Sequence, residues 1–393
     1  MIAKQDKRGD KAIDECLDAI KQNPQDDKAH NNLGNAYYEK GGYNEAIEEY
    51  RKALEIRPEE YIYYSNIADA YKALENWNTA IEYYEKAIKI NPKDDWTYNN
   101  FGNVYFSKGE YEQAIDYYNK AISITPHHVY YTNIGDSYRK QGKWDKAILY
   151  YKEAIAINPE YSPAHNAIGV AYSTKGEYDK AIEHYQKAIS ISKENFIYYA
   201  NLGDTYSAKK DWDKAIESYE KALQIDSNDD LSYNALGNAY FGMGLYSQAI
   251  EHYQKALSIN PNKYPIYYSN IGDAHRRLKK WNEAIEYYQK AINKADENNL
   301  YDPRFKEGLA LAHNDLGVEF YTKGENDKAI EEYKKAIDLG LETDVSYHNL
   351  YLAYYSKGDY KKAEEDLLKA ITLNASGPNY SEELKSLGDK LKK

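Results

Sequence analysis

Apolar and small residues recur along this chain in steps of three and four, and the whole pattern then repeats about every 34 residues. From Asp27, the residues His30, Leu33, Gly34 and Tyr37 stand at i, i+3, i+4 and i+7, which is one face of a helix. Ala46, Ile47, Tyr50, Ala53 and Leu54 draw a second such face, and Pro58 stops it. The stretch between them, "KGGY" here and "KGEY" or "KKDW" in other copies, predicts a turn. Small residues hold their phase from copy to copy: Ala68, Ala80, Ala87 and Pro92, then Gly102, Ala114, Ala121 and Pro126. Ten full copies start at 27, 61, 95, 128, 162, 196, 230, 265, 310 and 344, with an 11-residue insertion near 294–304.

Each copy therefore predicts a hairpin of two helices, and neither helix can bury its apolar face alone. Neighbouring hairpins must stack, giving an all-α solenoid with a continuous core. In one copy, Tyr98, Phe101, Gly102, Tyr105, Ala114, Tyr118, Ala121 and Pro126 form a pattern that resembles the tetratricopeptide repeat (TPR) family, and the other copies match it nearly as well. The resemblance spans about nine tenths of the chain. It implies a right-handed superhelix of TPR hairpins whose first helices line a concave groove.

The ends and the insertion depart from this pattern. Residues 1–26 align with a second helix only, with Ala12, Ala19 and Pro24 in phase, so the chain opens half a repeat in. The ten units run over 27–377, and 378–393 reads as a C-terminal capping helix with Leu384, Leu387 and Leu391 on one side. The last unit carries Tyr351 where others have Gly or Ala, as expected of a terminal repeat with one neighbour. In the insertion, Asp302 and Pro303 mark a helix start, and the flanking helices are expected to be lengthened.

A second period is two units long. Trp77, Trp144, Trp212 and Trp281 occupy the seventeenth place of alternate units, where Tyr43, Tyr111, Tyr178 and Tyr246 stand in the others. The Trp units also open with a Tyr pair: Tyr63 and Tyr64, Tyr130 and Tyr131, Tyr198 and Tyr199, Tyr267 and Tyr268. Aromatics at helical spacing predict core packing.

The face of the first helix opposite the core carries the candidate chemistry. At about 100° per residue, the second, sixth and ninth places align there. They hold Lys28, Asn32, Asn35; Ile62, Asn66, Asp69; Trp96, Asn100, Asn103; and Val129, Asn133, Asp136, and later Ile197, Asn201, Asp204; Asn238; and Ile266, Asn270, Asp273. Asn and Asp are mediocre helix formers, and an exposed Ile or Trp gains nothing from water. A carboxamide carries both a donor and an acceptor, so such a ladder can pair with the backbone of an extended peptide while the apolar places take its side chains. Similar asparagine ladders occur in superhelical TPR proteins such as the repeat domain of O-linked N-acetylglucosamine transferases. The acidic members also stand where i,i+3 or i,i+4 ion pairs form: Asp69 with Lys72, Asp136 with Arg139 and Lys140, Asp273 with Arg276 and Arg277. Ala167 with Val170 and Asp315 with Val318 interrupt the ladder. The family's carboxylate clamp needs a Lys in the fifth place, where this chain has none.

Composition narrows the function classes. The net charge of −12 is spread along the chain, against the clustered Lys and Arg of a nucleic-acid partner. Tyrosine is abundant, 46 of 393 residues, and is the expected core residue. One cysteine, Cys16, forms no internal disulfide, which fits a cytoplasmic protein. No apolar run is long enough for a membrane span, no phosphate-binding glycine loop occurs, and the histidines lack metal-ligand spacing. His30, His165 and His313 take the core aromatic place. The sequence therefore predicts a scaffold with no catalysis, metal or cofactor, binding a protein or peptide segment. The alternatives are self-association through the opening half repeat, or service as the recognition arm of a larger protein.

Overall fold

The computed structural model describes residues 2–261, 264–374 and 380–392, with side chains from Asp10 onward. Among the described residues every regular element is an α-helix. The helices fall into two compact units, Met1–Lys193 and Glu194–Lys393. The first unit opens with Ile2–Gln22 and continues through five hairpins, whose first helices are Asp27–Glu39, Tyr61–Ala73, Asp95–Ser107, His128–Lys140 and Ser162–Thr174. In the second, the first helices are Phe196–Ala208, Asp230–Gly242, Pro265–Arg277, Pro303–Thr322 and Asp344–Lys357, and Tyr380–Leu391 closes the stack.

The small residues explain how the helices of a hairpin come so close. Ala46, Ala53, Ala80, Ala87, Ala114 and Ala121 are fully buried on the second helices. Each is followed or preceded by a tyrosine that lies flat on the first helix: Tyr50, Tyr84, Tyr118 and Tyr151 in the first unit, Tyr219, Tyr253, Tyr288 and Tyr333 in the second. A Cβ placed on Gly102 would stand 2.6 Å from the Tyr118 ring, so glycine at the eighth place sets the approach distance.

The turn between the helices needs a left-handed residue. Gly41, Gly109, Gly142, Gly176, Gly244, Gly324 and Gly358 supply it, whereas Glu75, Lys210 and Lys279 adopt φ of 57°, 62° and 58° without that freedom. A left-handed residue with a Cβ costs about 1–2 kcal/mol. Lys210→Gly is accordingly expected to raise stability by about 1 kcal/mol, read as a higher denaturant midpoint; an unchanged or lower midpoint contradicts the strain.

Units join through polar contacts as well as apolar ones. In three of the four Tyr-pair units the first Tyr reaches back to the acid that opens the preceding unit: Tyr63 Oη donates to Asp27 (2.5 Å), Tyr130 to Asp95 (2.7 Å) and Tyr267 to Asp230 (2.6 Å); the unit before Tyr198 opens with Ser162 instead. The first places of the Tyr-pair units are Tyr61, His128, Phe196 and Pro265, which offer no carboxylate, so the units that follow them receive no such bond. The two-unit period is thus a coupling of hairpins in pairs.

The C-terminal helix repeats the same contacts. Tyr380 Oη donates to Asp344 (3.3 Å), Glu383 meets His348 (2.9 Å), and Leu387 is fully buried. Leu391, expected on the same side as Leu384 and Leu387, is 40% exposed. Residues 378, 379 and 393 of the expected cap lie outside the described residues.

Around the insertion, Trp281–Glu297 and Pro303–Thr322 run to 17 and 20 residues. Asp302 caps the second by accepting from Arg304 N (3.0 Å), and Ala291, Ala295 and Phe305 pack where the added turns meet.

Candidate functional site

The structure places the ladder residues in three environments. Asn32, Asn35, Trp96, Asp204 and Asn238 are exposed; Asn66, Asp69, Asn103, Asn133, Asp136, Asn201, Asn270 and Asp273 are half-buried; Asn100 is buried. The rows are not equivalent because neighbouring first helices lie against one another along the sixth place.

At the ninth place, one oxygen of every Asn or Asp is held by the buried tyrosine of its own hairpin. Tyr50 Oη donates to Asn35 (2.8 Å), Tyr118 to Asn103 (2.8 Å) and Tyr253 to Asn238 (2.9 Å). Between them, Tyr84 donates to Asp69 (2.7 Å), Tyr151 to Asp136 (2.9 Å), Tyr219 to Asp204 (2.7 Å) and Tyr288 to Asp273 (2.6 Å). Burial, reinforced by these carboxylates, pushes the Tyr84, Tyr151, Tyr219 and Tyr288 hydroxyls well above their ordinary range. The tyrosine fixes each side chain through Oδ1, leaving the amide N–H of Asn35 and Asn238 and the second oxygen of Asp136, Asp204 and Asp273 available, whereas Asn103 gives its N–H to Asn100 (3.4 Å) and the second oxygen of Asp69 accepts from Asn100 (3.2 Å).

The sixth place does different work. Asn66 Nδ2 donates to Asn31 (2.7 Å), Asn133 to Asn99 (2.7 Å) and Asn270 to Asn234 (2.8 Å), linking the first helices of paired hairpins. Asn100 donates to Asp69 (3.2 Å) across the other kind of junction. These bonds use the N–H end, and at Asn100 the carbonyl is engaged as well, accepting from Asn99 (3.3 Å) and Asn103 (3.4 Å). The fifth-place partners Asn31, Asn99 and Asn234 lay outside the stripe drawn from helical geometry; their recurrence in alternate units was the signal for them.

Two of the three expected ion pairs form, Asp69 with Lys72 at 2.5 Å and Asp136 with Arg139 at 3.0 Å. The third does not. Arg276 bridges to Asp315 of the next unit at 3.1 Å, so Asp315 acts as a counter-ion where the ladder is interrupted.

Apolar side chains stand beside these groups. Ile62, Trp96, Ile197 and Leu231 are 43–56% exposed. In the second unit, Ile197, Asn201, Asp204, Leu231 and Asn238 line an open depression of 590 Å³ between two first helices.

The histidines of the core place are structural. His30 Nδ1 pairs with Glu49 (2.7 Å) and His313 Nδ1 with Glu332 (2.6 Å), while His165 Nε2 meets the Pro159 carbonyl (3.3 Å). Among the described residues, no three His, Cys, Asp or Glu side chains are grouped to hold a metal ion, and no helix is long and apolar enough to cross a membrane.

Stacked helical hairpins with an ordered polar face define a helical-repeat scaffold for protein–protein interaction. The chain belongs to the tetratricopeptide repeat family, whose models match residues 27–194, 203–342 and 345–376. Proteins of this family are generally non-catalytic scaffolds. No curated protein sequence matches the chain. Among solved structures, the C-terminal part of a TPR repeat-containing protein from Cytophaga hutchinsonii is 22% identical, covers 64% of this chain and 98% of its own, and superposes with a TM-score of 0.54, a likeness of fold. MamA is 29% identical over 43% of this chain and 98% of its own, at a TM-score of 0.40. YrrB, described as a TPR protein with an unusual peptide-binding site, is 25% identical over 48% of this chain and 98% of its own, at 0.38. At those TM-scores neither bears on the site.

Proposed function

We propose that the first-helix face holds an extended segment of a partner polypeptide. The observation that carries this is a run of apolar side chains left in water, Ile62, Trp96, Ile197 and Leu231, beside polar groups already oriented by buried tyrosines. Exposed side chains of that size, each next to a fixed donor or acceptor, suit a ligand that offers side chains and backbone together.

The ninth place gives the face a polarity pattern. In the first unit it reads Asn35, Asp69, Asn103, Asp136, an alternation of carboxamide and carboxylate in which the Asn35 N–H and the second Asp136 oxygen are available, while Asp69 and Asn103 are tied to each other through Asn100. An extended backbone offers carbonyls and N–H groups along each edge, so it satisfies both kinds without a sequence requirement. Preorganisation by tyrosine removes part of the ordering cost of binding. Sixth-place carboxamides join two helices and contribute mainly by spacing the ninth-place groups.

Dodecapeptides selected from a random display library on the full chain supply the test. Ile62→Lys with Trp96→Glu is expected to weaken a peptide that binds the first unit at least tenfold, with the melting temperature unchanged, because both side chains are exposed. Retained affinity removes this face from the reading.

A further inference from the structure

Four ninth-place acids occur in the Trp-bearing units, and three have a cation three residues on: Asp69 with Lys72, Asp136 with Arg139, Asp273 with Arg276. The fourth does not. Asp204 is followed at that position by Ser207, whose hydroxyl turns to Tyr219 Oη at 3.2 Å. Among the described residues Asp204 has no ion pair; its one bond is from Tyr219, at 2.7 Å. A second carboxylate, Asp229, lines the same depression and is committed to capping its helix through Ser232 N (3.2 Å). No Lys, Arg or His contributes to the lining.

Two open apolar places border the depression. Ile197 is 48% and Leu231 56% exposed, on adjacent first helices that face each other across 590 Å³. Two apolar walls and an unneutralised carboxylate on the floor match a side chain with an aliphatic stem and a cationic head. The geometry points to this depression as the seat of a lysine or arginine of the bound segment, its stem between Ile197 and Leu231 and its charge on Asp204. This assignment rests on the reading of the first-helix face as a peptide site and names the residue class that one position selects.

The electrostatics agree. Asp204 is surrounded by protein although its surface is open, and burial, with Asp229 nearby, holds its carboxyl above the usual carboxylate range. An arriving cation relieves that penalty, whereas Lys72 and Arg139 have already done so for Asp69 and Asp136. The second unit thereby discriminates at a place where the first unit is internally neutralised.

The experiment uses peptides selected by display on the full chain, then resynthesised with Lys, Arg, norleucine, citrulline or Glu at the enriched position and measured by fluorescence anisotropy. Enrichment of Lys or Arg at one position, with at least tenfold weaker binding for norleucine and citrulline, is the expected result. Asp204→Asn, which keeps an oxygen for Tyr219, should erase the difference between Lys and norleucine. Ser207→Lys, which supplies from within the cation that Lys72 supplies to Asp69, should do the same; both variants should melt like the parent. Peptides that bind the Ile197 and Leu231 walls without preferring a cation, or a Lys preference that survives both substitutions, overturn the assignment and leave the peptide-binding face standing. Absence of any peptide whose binding Leu231→Glu weakens overturns both.

Discussion

Raised past about pH 10, the usual tyrosine value, the protein is expected to lose its helices cooperatively. Tyr50, Tyr84, Tyr118 and Tyr151 in the first unit, and Tyr219, Tyr253, Tyr288 and Tyr333 in the second, are at most 2% exposed, and burial raises every one of their hydroxyls. A group whose folded value is raised stabilises the fold fully below the unfolded value and loses that contribution as pH climbs toward the folded one. Each such tyrosine then costs about 1.4 kcal/mol per pH unit, because the unfolded chain ionises and the folded one does not. Four in each compact unit amount to about 5 kcal/mol per pH unit, against a domain stability of about 5–15 kcal/mol. Exposed tyrosines will ionise first without structural change. Tyrosinate absorbance should therefore rise in two phases, the later one coincident with loss of far-UV circular dichroism and reversed on return to neutral pH. Complete ionisation with the helices intact would refute the tyrosine-sealed core.

The second large effect is expected at a junction between hairpins. Asp230 is 8% exposed and accepts from Tyr267 Oη at 2.6 Å and from Asn260 Nδ2 at 2.6 Å. Asp230→Ala removes both acceptors and strands two donors in a packed interface. Hydrogen bonds to a charged group are worth about 1.5–3 kcal/mol each, so the loss should be about 3–5 kcal/mol. Asp230→Asn retains one acceptor and should cost about half as much. Tyr267→Phe probes the same bond from its other end, and its effect should shrink in the Asp230→Ala background, since coupled partners do not add. Denaturant midpoints measure all four chains. Additive losses would show that the tyrosine and the acid act independently and that the two-hairpin period has another cause.

The hairpins were legible in the sequence because their signals are local. Three-four spacing, the Ala pair of the second helix and the turn glycine each report a contact within one unit. The cap was legible for the same reason, except at Leu391, which keeps the apolar spacing yet stands exposed. The junctions were harder. Nothing local says that Tyr63 bonds to Asp27, 36 residues earlier; the clue is that an opening Asp and an opening Tyr pair never share a unit. At the candidate site, helical geometry put the sixth and ninth places on one face but could not separate their work. The sixth-place Asn66, Asn133 and Asn270 reach a neighbouring helix, which depends on how helices pack. The ninth-place groups are held by tyrosines 15 residues on, a separation fixed by the hairpin itself. Asp273 shows the limit from the other side: Arg276 stands at ion-pair spacing yet goes to Asp315, which only the stack brings near.

Site-specific photo-crosslinking within the first unit tests the central claim most directly. A benzoylphenylalanine placed at Ile62, Trp96 or Val129 should capture the same bound peptide, at successive residues along its length, while one placed at the exposed Lys120 of a second helix should capture none. Capture at Lys120 instead, or crosslinks from the three first-helix positions that converge on a single peptide residue, would contradict an extended segment lying along the first-helix face.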